Sequence, residues 1–241
     1  MARHAISATF GLVLLFAETA AAQDPDWITS LTLRGSYTSS SKLFLNPDAS
    51  SSELRAQHDE LKDVPGVGLE VRYKAEGSDF FFSLTVDGLK KIRRSTQPIT
   101  NVSSHQFLPF EDGFLLVPIE LSGNVYVPLG SETIRLSMGG GIGAYYAERM
   151  LTLGDTRAPS TAGFLGYGIH VRGNFEYRVF RSTYVFFEMR FRDPEVEVTN
   201  RFPEEGVSYR GTRVPLPANE IKSKINVDGI GFAVGVTVDI L

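Results

Sequence analysis

The sequence predicts an all-β fold, an eight-stranded antiparallel up-and-down transmembrane β-barrel, and three observations carry that prediction. Apolar and polar residues alternate with period two in eight separate segments. The connections between those segments are short and long in turn, as expected when short turns line the periplasmic rim and long loops face outward. The polar faces are rich in glycine and serine, and their charges nearly balance in sign.

Residues 1–22 read as a secretory signal peptide, leaving residues 23–241 as the barrel domain. Arg3 and His4 form a short basic region, Ile6 to Phe16 an apolar one, and Ala20-Ala21-Ala22 offers small residues before a cut ahead of Gln23. An anchor helix is the weaker reading, because the apolar stretch is short and Glu18 follows it.

The first strand, near Trp27 to Tyr37, sets Leu31, Leu33 and Tyr37 against Ser30, Thr32, Arg34 and Ser36. The second sets Val67, Leu69, Val71 and Tyr73 against Gly68, Glu70, Arg72 and Lys74. In the third, Phe80, Phe82, Leu84 and Val86 oppose Phe81, Ser83, Thr85 and Asp87. The fourth places Leu115, Val117, Ile119, Leu121 and Val125 opposite Glu120, Ser122, Asn124 and Tyr126. Its Pro118 cannot donate to a ladder and reads as a bulge or a strand start. The fifth has Ile134, Leu136, Met138 and Ile142 against Arg135, Ser137, Gly139, Gly141 and Gly143.

The sixth strand opposes Leu165, Tyr167, Ile169, Val171, Phe175 and Tyr177 to Gly166, Gly168, His170, Arg172, Asn174, Glu176 and Arg178. The seventh opposes Val185, Phe187, Met189 and Phe191 to Tyr184, Phe186, Glu188, Arg190 and Arg192. The last alternates from Ile230 to Ile240 around Gly231, Ala233, Gly235, Thr237 and Asp239. Three connections are short: residues 75–78, 128–131 and 180–182. Four are long, at 38–64, 88–113, 149–162 and 193–224.

Composition narrows the function classes. A net charge of -4 gives no reason to expect nucleic acid as a partner. There is no cysteine, which removes disulfides, thiol catalysis and a lipoprotein anchor. No run after the leader is long and apolar enough for a membrane helix, but barrel strands show lipid only every second residue. A soluble lipocalin-like barrel with its apolar face inward shares the alternation. Lipid outside is favoured because the apolar faces carry no charge at strand centres, where one would cost about 2–4 kcal/mol. Arg34, Arg72, Lys74, Arg135, Arg172, Arg178, Arg190 and Arg192 stand against Glu70, Asp87, Glu120, Glu176, Glu188, Asp228 and Asp239, the near-balance that a shared interior requires. Trp27, Tyr73, Phe80 and Tyr177 lie on the apolar face near short turns, where an aromatic girdle belongs.

The whole stretch after the leader resembles the small outer-membrane barrels of OmpA-like and OmpW-like type. The resemblance rests on the strand pattern, on the segment Val117-Pro118-Ile119-Glu120-Leu121-Ser122-Gly123-Asn124-Val125-Tyr126, and on the Gly-rich Gly139-Gly140-Gly141-Ile142-Gly143. It implies a cell outer-membrane location reached through the periplasm, with the barrel-assembly machinery and outer-membrane lipid as partners. Such proteins usually end on an aromatic residue, whereas this sequence ends Asp239-Ile240-Leu241.

The candidate site is an interior charge network of Arg34, Glu70, Arg72, Glu120, Arg135, Arg172, Glu176, Arg178, Glu188, Arg190, Arg192 and Asp239. An eight-stranded barrel is just wide enough for side chains, so these residues are expected to plug it. The alternative is a gate in a narrow channel or transporter for small or hydrophobic solutes. A lipid-modifying enzyme is the second alternative, since some small barrels deacylate lipid through a His, a Ser two positions on, and an acid. Here Arg172 stands two positions after His170. His58, His105, Ser103, Ser104 and Asp59 fall in long connections, where polar residues are expected in any case. No cofactor or metal is expected, with four histidines and no cysteine. The loop segments Lys42-Leu43-Phe44-Leu45, Phe202-Pro203, Tyr209 and Val214-Pro215-Leu216-Pro217 carry apolar residues that suit an extracellular ligand or packing of loop on loop, and packing is the expectation. The protein is thus expected to be a monomeric, non-enzymatic barrel serving envelope structure or surface interaction.

Overall fold

The computed structural model describes residues 27–101, 104–131, 133–216 and 218–240, with side chains except at 27, 99–101, 104–106 and 212. The expected leader, residues 1–22, and the ring of Trp27 therefore lie outside the described residues. Eight long antiparallel strands close on themselves. They are β1 (Trp27–Phe44), β2 (His58–Ala75), β3 (Phe80–Asn101), β4 (Ser104–Val127), β5 (Ile134–Leu153), β8 (Leu165–Phe180), β9 (Thr183–Arg192) and β14 (Ile230–Asp239). Each pairs with the next, β5 with β8 across a short excursion, and β14 returns to β1 to leave no edge.

The alternation is obeyed in the predicted sense. Leu33, Val67, Ile142, Tyr167 and Ile169 are each at least 65% exposed on the outer wall, while Arg34, Glu70, Arg190 and Glu188 are at most 2% exposed inside. Water could not tolerate that outer belt on a soluble protein, and lipid requires it. Tyr73, Phe80 and Tyr177 are exposed near the short-turn end, at the girdle position.

Pro118 is neither a bulge nor a strand start. It sits inside β4 with the register unbroken on either side: Val86 faces Ile119 and Leu89 faces Leu116, with the β3 ladder interrupted only between them. A residue in an antiparallel strand directs its N–H to one neighbour only, so the missing donor falls where that ladder is open.

The four long connections are mostly strand. Crossing a membrane takes about 9–11 residues per strand, whereas β3 has 22 and β4 has 24. The excess stands above the apolar belt as paired strands, β1 with β2 and β4 with both β3 and β5. The rest of the upper part is α1 (Ser52–Ala56), β6 (Thr156–Ala158), β7 (Ser160–Ala162), β10 (Glu195–Arg201), the β11 (Gly206–Tyr209)–β12 (Thr212–Pro215) hairpin and β13 (Glu220–Asn226). β10 pairs with both β13 and β7, and β13 pairs with the top of β1, so the wall continues upward from β9 and β14. Near Asp63, whose φ is 58°, the inward-facing set changes parity. Below it Val64 and Glu70 point in; above it Leu61 does, and on β1 the inward set passes from Thr38 to Ser41 and Leu43.

Candidate functional site

The lumen is filled in layers. The lowest full layer is ionic and comes from β1, β2, β3, β4, β8 and β9. Glu70 accepts from Arg72 Nε at 2.5 Å, from Arg172 Nη1 at 2.5 Å, from Arg34 Nη1 at 3.3 Å and from the Thr85 hydroxyl at 3.1 Å. Glu188 takes Arg34, Arg172 at 3.3 Å and Arg190 at 2.8 Å. Glu120 takes Arg190, Arg192 at 3.6 Å and the Tyr145 hydroxyl at 2.9 Å. Glu176 binds Arg72. Arg172 also donates to Ser83 at 2.6 Å and to Asn124 at 2.8 Å. Five arginines (34, 72, 172, 190, 192) thus face five carboxylates once Asp87 is included, and all ten are buried. A neutral, cross-linked set is what makes burial of so many ions tolerable.

Of the predicted site residues, Arg34, Glu70, Arg72, Glu120, Arg172, Glu176, Glu188, Arg190 and Arg192 are brought together in this layer. Arg135, Arg178 and Asp239 are placed apart from it, half-buried toward the short-turn end. Arg135 pairs with Asp239 at 3.3 Å, and Arg178 donates to Tyr184 at 3.1 Å. Asp87 belongs in the layer, 3.3 Å from Arg192 and 3.4 Å from Arg34; its inward parity on β3 was the available signal. Asp228 and Lys42 pair with each other at the upper end instead, outside the lumen.

Above the ions lies an apolar layer of Leu43, Leu61, Val64, Leu89, Phe114, Leu116, Tyr145, Ala147, Val196, Val198, Ile225 and Val227. Tyr145 joins the two layers: its ring lies where a Cβ on Gly143 would come within 2.9 Å, and where one on Gly168 would come within 3.2 Å. Glycine at 143 leaves the room that this close approach needs. Next come Arg149 and Asp112, joined by two bonds of 2.8 and 2.6 Å, with Asn200. A second apolar layer of Leu108, Leu151, Ala158, Phe202, Val207 and Val214 caps the structure. Leu43, Phe202 and Val214, which the sequence places in loops, are buried, while Pro217 lies outside the described residues.

Several polar groups weighed for catalysis are not assembled. His58 binds the Ala56 carbonyl at 2.9 Å, and Asp59 pairs with Arg93. Ser103, and the side chains of Ser104 and His105, lie outside the described residues. His170 does meet a serine, Ser122 of the neighbouring wall, at 2.7 Å through Nε2, but both are at most 2% exposed inside the ionic layer. A substrate bond cannot reach that pair, so its chemistry is that of a buried hydrogen bond.

No family model matches the sequence, and no curated protein does. Among solved structures, the outer membrane protein OprG from Pseudomonas aeruginosa aligns with a TM-score of 0.53 at 11% identity, over 89% of this chain and 95% of that one. Neisserial surface protein A aligns with a TM-score of 0.44 at 14% identity, over 88% and 97%. The Escherichia coli outer membrane protease OmpT aligns with a TM-score of 0.34 at 10% identity, over 89% and 96%. The first of these places the chain in the same fold as a small outer-membrane barrel.

Proposed function

We propose that this chain is a closed, non-enzymatic barrel of the outer membrane that serves envelope structure and surface interaction rather than transport. The observation that carries this reading is the filled lumen: a charge-neutral layer of ten ionic side chains with an apolar layer directly above it. An ion crossing would have to break the first layer and then enter the second, and each step costs several kcal/mol or more. A narrow channel for small or hydrophobic solutes would need both layers to move together. Surface interaction falls to the upper strands, whose outer sides carry exposed ion pairs such as Lys222–Asp48 and Arg213–Glu204. The barrel works as a monomer, held by outer-membrane lipid against its apolar belt and placed there by the assembly machinery.

Planar-bilayer recording tests the reading. Many insertions of the refolded protein are expected to leave the membrane electrically silent, and regular unitary steps would overturn it.

A further inference from the structure

On β3 the outward column of the lipid-facing belt runs Phe80, Phe82, Leu84, Val86 and Gly88, and the next outward residue is Lys90. From there Lys90-Lys91-Ile92-Arg93-Arg94 puts four cations into five residues. The ladder to β2 ends at the same height, on the pair Gly66–Leu89, whereas the ladder to β4 continues up to Asn101. With that edge open none of the four cations is buried, not even Lys91 and Arg93, which lie on the inward parity of the strand. The run is only partly neutralised from within. Arg93 pairs with Asp59 and Arg94 with Glu111 at 2.7 Å, while Lys62 on β2 has Glu60 at 3.3 Å. The Asp63 carboxylate takes the Tyr37 hydroxyl at 2.5 Å, and Lys91 donates only to the Asp63 carbonyl, at 3.1 Å. Lys90 and Lys91 therefore stand without an ion-pair partner among the described residues. Below Lys90 the outer wall is smooth: a Cβ on Gly88 would meet only the Val67 carbonyl oxygen, at 3.9 Å, and Val67, its partner on β2, is 69% exposed.

Charged side chains protect an open strand edge from pairing with other chains, but protection does not call for an open strip in the lipid belt beneath them. Cations bunched where a membrane-crossing segment meets the headgroups attract anionic lipid, and a lysine ammonium is a good point-charge partner for phosphate. Height favours a lipid over a soluble polyanion. Lys90 continues the column that faces acyl chains, so a headgroup phosphate at its ammonium leaves a chain to lie over Gly88. We propose that Lys90 and Lys91 bind the phosphate of an outer-leaflet lipid whose acyl chain runs down the wall over Gly88, beside Val67. The proposal rests on the outer-membrane location and not on the closed lumen, so lipid binding and electrical silence can fail separately.

Native mass spectrometry of the refolded full chain in detergent tests it, with diphosphorylated lipid A and its dephosphorylated form as probes at equal concentration. The phosphorylated probe is expected to bind about tenfold more tightly. Replacing both lysines (Lys90→Gln with Lys91→Gln) is expected to abolish that preference, in a protein whose gel mobility still changes on boiling. Lys222→Gln, which removes an exposed cation of β13, is expected to leave the preference intact. Equal binding of the two probes by the parent, an undiminished preference in the double variant, or displacement of the lipid by equimolar inorganic phosphate would overturn the proposal.

Discussion

Glu70 shows how single side chains depend on one another here. Its two oxygens serve Arg34, Arg72, Arg172 and Thr85, so removing the carboxylate leaves three guanidinium groups short of an acceptor in a site without water access. Breaking a buried ion set from one side costs about 3–5 kcal/mol. The Glu70→Ala protein is therefore expected to unfold at a clearly lower denaturant concentration in lipid vesicles than the parent. An unchanged midpoint would mean that the arginines find acceptors elsewhere. The nine ionic residues named from sequence and found in the layer could be picked out because strand parity alone sends them inward. Tyr145 could not be picked out, since its role depends on the space above Gly143 and Gly168, and those glycines come from two different strands.

Among the elements, β5 packs tightly against β4 at Gly141. A Cβ at Gly141 would lie 1.9 Å from the Leu121 carbonyl oxygen on β4, and backbone cannot yield as a flexible side chain would. Gly173 on β8 has open space around the same position. Gly141→Val is expected to lose about 1–3 kcal/mol or more and to lower the folded fraction after refolding, while Gly173→Ala refolds like the parent. Equal yields for the two would show that the β4–β5 spacing relaxes. The lower halves of all eight strands were legible because lipid on one side and a narrow lumen on the other force a strict period of two. The upper halves were not. Above Asp63 the parity of β1 and β2 changes, and the stretches that read as loops in the sequence carry mixed patterns that suit strands packed on one another. Leu43 illustrates the point: as a loop residue it is expected to pack on other loops, and in the shifted register it belongs to the apolar layer inside the wall.

For the molecule as a whole, closure of β14 onto β1 leaves no strand edge from which detergent can unzip the ladder. The protein recovered from the outer-membrane fraction is expected to run at a different apparent mass before and after boiling in SDS. Identical mobility, with the protein in the soluble periplasmic extract, would contradict a lipid-facing belt. Strand number, antiparallel order, the outward apolar face and the inward charges were all determined by the sequence, because each follows from local alternation and from the cost of placing charge in lipid. Which charges meet, that Asp87 completes a neutral set of ten, and that an apolar layer seals the lumen above it were decided only by tertiary structure. Those contacts join residues as far apart as Arg34 and Glu188, and their geometry depends on barrel closure and on the stagger of eight strands.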